Sequence, residues 1–389
     1  MTARLVQGGD VSRFLHRHLL KLIVLSYTLA AFFPALGLWI KDAEIIDVRA
    51  LGGRWTMTLP KLLLGLLLIN AGMRVKVGRV GQIVRSPNVL LAGLTANLIV
   101  PLLFLGLMVP ALQSWHNPDE AATVLVGLAL VSSMPIAGSS TGWSQAADGD
   151  MALSLGLVMG STLLSPLTTP ASLHVLGAIA PGRYGAELHS LANQETGSFL
   201  VAWVLVPSVL GIVVRMALGE ARIGAVERRL KVIAPATLLL LCYGNASACL
   251  PKVVENPDWD FLGIIFTFVT GLCVSTFAAG YTLSRVLGVD RGQGAALIFG
   301  LGMNNNGTGL VLASLALGSQ PLVMLPIIVY NLAQHLVAGF VDAMLRRANP
   351  APLAATRVPL DPRPVPVLRD AALLPEIPQS HPDGFSVPT

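Results

Sequence analysis

The sequence has little charge. Asp, Glu, Lys and Arg make up 12% of its 389 residues, whereas 53% of the residues are hydrophobic. Soluble domains carry about 25% charged residues, enough to cover a globule with polar surface. With a mean hydropathy of +0.69, the chain is too apolar for a soluble enzyme, a nucleic-acid-binding protein or a disordered scaffold. This composition indicates a protein that crosses a bilayer several times.

Cysteines and enzyme motifs are also scarce. The three cysteines, Cys242, Cys249 and Cys273, form no CxxC pair, so we expect small buried apolar residues rather than disulfides or a zinc site. The sequence has no HExxH, GxSxG, P-loop or Rossmann motif, and its glycine-rich segments lie inside apolar runs. We therefore predict a protein that is not an enzyme.

Apolar runs long enough to span a bilayer as helices, about 20 residues, occur ten times. They cover residues 19–40, 57–73, 87–112, 121–146, 151–180, 197–219, 230–250, 259–284, 292–317 and 320–345. With the N-terminus inside, 20 of the 26 Lys and Arg residues fall on inner segments. Because inner loops are enriched in Lys and Arg, we predict an integral protein of a plasma or inner membrane with both termini in the cytoplasm.

The predicted fold is all-α, with ten transmembrane helices arranged as two inverted five-helix repeats. Its parts are a cytoplasmic N-terminus (1–18), the first repeat (19–180), an extracytoplasmic connection (181–196), the second repeat (197–346) and a tail (347–389). Ten of the last 41 residues are proline, which predicts a disordered cytoplasmic tail.

Two polar, glycine-containing clusters interrupt the apolar runs at matching positions. Gly138–Gly142 (GSSTG) lies in the fourth run, and Asn304–Gly309 (NNNGTG) lies in the ninth, the fourth of the second half. Halves of five helices must have opposite orientations, and interrupted helices at matching positions of inverted repeats indicate a transporter binding site. Helix N-termini at the breaks favour an anion, whereas carbonyl and side-chain oxygens favour a hard cation such as Na⁺.

Titratable side chains are rare inside the apolar runs. No carboxylate lies in the middle of a run, although an acid there is the usual carrier of a proton or a cation. His174 and His335 remain. We expect structural roles for both, with proton transfer as the alternative.

Three segments resemble the bile acid:sodium symporter family, over about residues 62–345. They are Gly72-Met73 with the following basic loop and Ser86-Pro87; Met134–Thr141 (MPIAGSST) with Ala152–Ser154 and Ser161–Pro170 (STLLSPLTTP); and Gly302–Gly307 (GMNNNG), similar to the family's GMQNSG. The resemblance implies that helices four and nine are broken and cross within a six-helix core, beside a four-helix panel. It also implies the transport of organic anions, commonly together with two Na⁺ ions.

The resemblance places Na⁺ ligands residue by residue at Asn97, Ser140, Thr141, Ser154, Gly300, Leu301, Met303 and Asn304. Two departures from the family pattern weaken this set. Gly300 replaces the carboxylate that both sodium sites share, and Val158 replaces a ligating threonine. Neutral oxygens attract Na⁺ less strongly in a low-dielectric interior. We therefore expect weakened or absent Na⁺ coupling, with one residual site around Asn97 and Asn304 as an alternative.

The expected substrate site joins the two crossovers and the tenth helix. Its residues are Ser139, Ser140, Thr141, Asn305, Asn306, Thr308, Gln334 and His335. The implied function is a secondary transporter that moves an organic anion (a small carboxylate, a keto acid or a bile-acid-like molecule) by alternating access. We expect the anion and the lipid bilayer as partners, and no nucleic acid. We expect no cofactor other than Na⁺ if the transport is coupled to it. Open alternatives are uniport, proton-linked transport, Na⁺ symport through the residual site, and a sensor or scaffold that has lost transport.

Overall fold

The computed structural model describes Leu15 and residues 18–50, 53–75, 86–180, 182–193 and 196–347. Most of the predicted N-terminal segment 1–18, the basic residues 76–85 and the tail beyond Arg347 lie outside these residues. The described residues are mostly helical and belong to one compact unit, Met1–Ala348.

The secondary-structure elements are numbered in chain order. They are α1 (Leu19–Phe32), α2 (Pro34–Asp42), β1 (Glu44–Ala50), β2 (Gly53–Thr58), α3 (Leu59–Met73), α4 (Pro87–Gln113), α5 (Pro118–Ser133), α6 (Ser140–Ala146), α7 (Met151–Ile179), α8 (Gly182–Asn193), α9 (Thr196–Leu200), α10 (Val206–Ala246), α11 (Leu250–Glu255), α12 (Trp259–Val286), α13 (Arg291–Gly302), α14 (Asn306–Ala316) and α15 (Met324–Arg347). A π-helical turn (Val201–Leu205) joins α9 to α10, and a 3₁₀ turn (Pro321–Val323) precedes α15.

Five helical segments of the described residues are long and apolar enough to cross a membrane. They cover Pro87–Gln113, Met151–Ile179, Thr196–Gly219, Trp259–Val286 and Pro321–Arg347. The pair α1 and α2 adds a sixth if it counts as one span. The first predicted span, 19–40, is therefore bent rather than continuous, because α1 and α2 meet at an angle of 96°. Pro34 opens α2, and proline cannot donate the hydrogen bond that would continue α1.

The prediction of an all-α fold is wrong in one place. Residues 44–58, most of which lie between the first two apolar runs, contain the antiparallel pair β1 and β2, with Glu44 opposite Thr58 and a bulge between Glu44 and Ile46. Backbone groups outside a helix need partners, and the two strands supply them to each other. The rest of the predicted architecture, ten spans in two inverted repeats, stays a prediction.

The sixth and seventh predicted spans lie in one helical run that changes direction at Gly219. Its backbone has φ 74° there, a conformation that glycine adopts without strain. The helix continues through residues 220–229, where the sequence analysis expects a connection. The predicted connection 181–196 contains α8, which packs mainly on α7.

The core sits around the fourth and ninth apolar runs. In α5 nearly every residue from Ala121 to Ser133 is buried, and in α13 every residue from Gly294 to Gly302 is buried. Helices that are buried on all sides occupy the centre of a bundle. Large apolar side chains elsewhere point outward, such as Leu107 (73% exposed) and Leu167 (74% exposed), as expected of a surface that faces lipid.

Contacts at the helix ends agree with the predicted sidedness. At one end, the Asp150 N–H donates to the Gly292 carbonyl at 2.8 Å, and Arg346 donates to the Ala146 carbonyl at 2.8 Å. At the other end, His116 lies 3.1 Å from Asp260. Each contact joins loops that the Lys and Arg pattern assigns to the same side. Which side faces the cytoplasm stays a prediction.

Candidate functional site

The two helix breaks meet at the centre of the bundle. Ile136, between α5 and α6, forms an antiparallel bridge with Asn304, between α13 and α14. The Ala137 N–H donates to the Met303 carbonyl at 2.9 Å, and the Asn305 N–H donates to the Pro135 carbonyl at 2.8 Å. Backbone outside a helix is tolerated in apolar surroundings only when its polar groups are paired. These hydrogen bonds make the crossing of the breaks, hereafter the crossover, a stable element.

Helix α7 supports the first break with two hydroxyl groups. Ser161 Oγ accepts a hydrogen bond from the Ile136 N–H at 3.0 Å, and Thr169 Oγ1 donates to the Ser133 carbonyl at 2.6 Å. Both residues belong to the run Ser161–Pro170 that carries part of the family resemblance. The sequence analysis assigns them no role, although polar residues eight apart on one helix face are a usable signal.

Helix α15 supports the second break. Gln334 Oε1 accepts a hydrogen bond from the Asn304 N–H at 3.1 Å, and Asn304 Nδ2 donates to the Val131 carbonyl at 3.1 Å. Gln334 is only 2% exposed. The structure therefore gives this predicted substrate residue a second task, which is to hold the crossover backbone.

A buried polar chain continues from Gln334 to α1 and α10. Gln334 Nε2 donates to Asn331 Oδ1 at 3.3 Å, and Asn331 Nδ2 donates to the Tyr27 hydroxyl at 2.9 Å. Tyr27 in turn donates to Cys242 Sγ at 3.6 Å. Sequence reasoning missed Tyr27 and Asn331. The prediction that Cys242 is buried is confirmed, and its sulfur also accepts hydrogen bonds.

The first turn of α14 contains three of the predicted substrate residues. Asn305 is half-buried, and its side chain caps α14 by accepting from the Thr308 N–H at 3.3 Å. Asn306 is 2% exposed and Thr308 is fully buried. Neither the Asn306 amide nor the Thr308 hydroxyl has a hydrogen-bond partner among the described residues. Burying such groups unpaired costs about 1–3 kcal/mol each, so the described structure leaves these polar atoms of α14 unsatisfied at a cost in stability.

The first turn of α6 contains the other predicted cluster. Ser139 is half-buried, and Thr141 Oγ1 donates to the Gly138 carbonyl at 2.7 Å. Ser140 is fully buried, and its hydroxyl has no partner within the described ranges. Of this cluster, Ser140 is therefore the residue whose polar atom is both buried and unpaired.

His335 follows Gln334 on α15 and is also buried. None of the hydrogen bonds that connect the crossover to α7 and α15 involves its ring. Trp143 of α6 stacks on Phe299 of α13, with ring centroids 6.2 Å apart, so it packs inside the bundle.

The predicted Na⁺ ligands share Ser140 and Thr141 with the predicted substrate site and add residues of α4, α7 and α13. Asn97 Oδ1 and Ser154 Oγ, like Ser140 Oγ, are buried without hydrogen-bond partners among the described residues. Met303 and Asn304 lie in the crossover itself, and Leu301 is buried one residue before the end of α13. The structure thus keeps three unpaired oxygens from α4, α6 and α7.

The position that lacks the family's carboxylate is packed with hydrocarbon. A Cβ at Gly300 would lie 3.0 Å from Leu157 Cδ1, and a Cβ at Gly93 of α4 would lie 2.7 Å from Leu157 Cδ2. The fully buried Leu157 therefore fills the space between α4 and α13. It belongs to an apolar cluster of Ile136, Leu153, Leu157, Ala296, Leu297 and Leu301. Sequence reasoning noted the missing carboxylate but not the side chain that fills its place.

Three curated relatives are similar to this chain. The uncharacterized protein YbaS of Bacillus subtilis (strain 168) is 28% identical over 230 residues, 59% of this chain and 71% of that protein. The probable sodium/metabolite cotransporter BASS1, chloroplastic, of Oryza sativa subsp. japonica is 30% identical over 226 residues, 58% of this chain and 51% of that protein. The uncharacterized sodium-dependent transporter YocS of Bacillus subtilis (strain 168) is 24% identical over 283 residues, 72% of this chain and 81% of that protein.

The model of the sodium bile acid symporter family matches residues 61–256, half of the chain. The match runs from the first turn of α3 to the end of α11, including the first break and the helix α7 that supports it. Together with the apolar helices, it supports an integral membrane protein with a transport function rather than an enzyme. The chain belongs to the sodium bile acid symporter family.

Proposed function

We propose that this protein is a secondary transporter that moves an organic anion across the membrane by alternating access at the crossover, with weakened or absent Na⁺ coupling. The observation that carries the proposal is the crossover itself. Two broken helices pair their backbones there, while Asn306, Thr308 and Ser140 keep buried polar groups unpaired. Family membership supports transport, and the names of the rice BASS1 protein and of YocS favour sodium dependence.

The unpaired groups at the crossover suit an anion. The Asn306 amide offers two N–H donors, and the hydroxyls of Thr308 and Ser140 offer one each. Donors that are already buried bind a carboxylate without the full desolvation cost that exposed groups would incur. The half-buried Asn305 and Ser139 add polar groups at the same two breaks. A carboxylate, a keto acid or a sulfonate fits this set of donors.

The apolar packing at Gly300 argues against strong Na⁺ binding. A carboxylate near a bound cation contributes several kcal/mol in a low-dielectric site, and Leu157 occupies the space where this group would lie. The remaining ligands from side chains are neutral oxygens of Asn97, Ser140 and Ser154. A site with these neutral ligands binds Na⁺ more weakly than a site that includes a carboxylate.

A ligand screen followed by transport assays tests the proposal. Carboxylates, keto acids and sulfonates are added to the purified protein, and a ligand of the native state raises the melting temperature by mass action. Ligands found in this way are then assayed for uptake into proteoliposomes with and without a Na⁺ gradient. We expect uptake that persists without the gradient. A steep Na⁺ dependence with a Hill slope near two would refute the weakened coupling.

One observation favours a second candidate, Na⁺ symport through a single residual site. Gly300 and Leu301 lie in the last turn of α13, where helix carbonyls have no partner within the helix. Together with the side chains of Asn97 and Asn304, these carbonyls would form the site for one Na⁺ ion. This candidate predicts a Hill slope near one that Asn97→Leu abolishes, whereas the main proposal predicts at most a weak effect of Na⁺ in either protein.

A further inference from the structure

A second cluster of ligand atoms lies at the opposite end of α5 from the crossover, where the N-termini of α5 and α12 meet. His116 Nε2 lies 3.1 Å from Asp260 Oδ2. The ligand atoms of His116, Glu120 and Asp260 all lie within 4.8 Å of one another. Acidic residues in the first turn of a helix, such as Glu120 and Asp260, stabilise the helix to which they belong. That role does not explain why an imidazole and two carboxylates from different segments lie close together.

Neighbouring groups hold Glu120 and His116 in place. Trp115 Nε1 donates to Glu120 Oε2 at 2.8 Å, and Asn117 Nδ2 donates to Glu120 Oε1. The His116 ring packs against Trp115, with centroids 4.8 Å apart. Outer groups that fix the orientation of ligand side chains are a regular feature of metal sites.

The surroundings are open and acidic. A cavity of about 470 Å³ adjoins the cluster, and its lining includes Asp119, Glu120, Asp258 and Lys252. His116 and Asp260 are about half exposed, so an ion reaches them directly from solvent. Each of the two helix N-termini carries a partial positive charge of about half a unit, which repels a cation. The carboxylates of Glu120 and Asp260, with Asp119 and Asp258 nearby, outweigh that opposition.

We propose that His116, Glu120 and Asp260 form a binding site for one divalent transition-metal ion of the Zn²⁺ type, which joins the α4–α5 connection to the start of α12. One imidazole nitrogen with two carboxylates suits Zn²⁺ and similar ions, whereas Mg²⁺ and Ca²⁺ prefer oxygen ligands alone. The open positions of the ion would be taken by water. This site is independent of the transport proposal.

Zn²⁺ titration of the purified full-length protein, without a polyhistidine tag, tests the site. Isothermal titration calorimetry should show one high-affinity ion per chain, and Co²⁺ should quench the fluorescence of the adjacent Trp115. His116→Ala and Asp260→Asn should each weaken Zn²⁺ binding by at least about tenfold, because each removes one of three ligands. Asp148→Asn, at an exposed aspartate near the opposite helix ends, and His381→Ala, in the tail, are the matched controls and should bind as the wild type does.

Unchanged Zn²⁺ affinity in both ligand variants would overturn the proposal, and so would Mg²⁺ binding as tight as that of Zn²⁺. The melting temperature of each metal-free variant checks folding. His116→Gln keeps a polar side chain and carries the test if His116→Ala unfolds. In the wild type, Zn²⁺ should raise the melting temperature, and this shift should be lost in the ligand variants and kept in the controls.

Discussion

The two sides of the crossover differ in what their buried space contains. On the α14 side, the Asn306 amide and the Thr308 hydroxyl are buried without partners. On the α13 side, the space beside Gly300 holds the methyl groups of Leu157, within the apolar cluster around Ile136 and Leu301. Unpaired buried donors are retained at a cost in stability, which is a signature of ligand binding. Complete apolar packing is a signature of structure. The predicted Na⁺ ligands Asn97, Ser140 and Ser154 also keep unpaired oxygens, so the difference lies in the missing carboxylate, whose space Leu157 fills.

The largest expected effect comes from removing the unpaired donors. Asn306→Leu keeps a branched side chain of similar size. It should reduce uptake by about tenfold to a hundredfold, because a hydrogen bond to a charged ligand group contributes that much to binding. Because these atoms bond to nothing in the described structure, the thermal stability of the protein should not fall. Thr308→Val removes the unpaired hydroxyl with almost no change in side-chain shape, and we expect the same pattern of lower uptake at unchanged stability. Lower stability combined with normal uptake would show that Asn306 and Thr308 stabilise the fold and do not bind the substrate.

The next effect tests the apolar side. Gly300→Glu should destabilise the protein by about 1–3 kcal/mol, because the new side chain meets Leu157 at 3.0 Å and overpacks the core. The double variant Leu157→Ala/Gly300→Glu opens that space and should make uptake Na⁺-dependent. Leu157→Ala/Gly300→Ala is the matched control without the carboxylate. If Gly300→Glu alone is fully stable and couples to Na⁺, the packing at Leu157 does not limit cation binding.

A smaller effect concerns the support of the crossover by α7. Ser161→Ala leaves the Ile136 N–H without its acceptor, so chemical denaturation should show a loss of about 1–3 kcal/mol. Ser165→Ala is the control, because Ser165 Oγ donates only to the Thr162 carbonyl of its own helix. Equal losses in the two variants would mean that the contact between Ser161 and the break is not what stabilises it.

The smallest effect on stability separates the two roles of Asn305. Asn305→Leu removes the cap of α14 and should cost about 1 kcal/mol of stability, while the loss of a polar group at the crossover should also lower uptake. Asn305→Ser keeps a capping oxygen. It should restore the melting temperature but not the uptake, which would separate capping from binding. Full uptake in Asn305→Leu would remove this residue from the site.

The sequence predicts the positions of the breaks better than their surroundings. Gly138–Gly142 and Asn304–Gly309 interrupt apolar runs, and the breaks at residues 134–139 and 303–305 overlap the start of these clusters, whose remaining residues open α6 and α14. The bend at Phe33 has a local signal in Pro34 that the apolar pattern does not contain, whereas the β1–β2 pair depends on which segments meet. Leu157 looks like any core leucine until α4 and α13 are seen to pack around it. The polar chain from Gln334 to Tyr27 joins residues about 300 positions apart, a pairing that no spacing rule finds.

Substrate affinity measured against Na⁺ concentration tests the contrast between the two sides most directly. A ligand from the stabilisation screen is titrated into the purified protein in Na⁺ buffers and in choline buffers of equal ionic strength. Coupling between two ligands is reciprocal, so a protein without an effective cation site should show affinities that agree within about twofold. An affinity that rises steeply with Na⁺, with a slope near two, would mean that the sodium sites work despite Gly300 and Leu157.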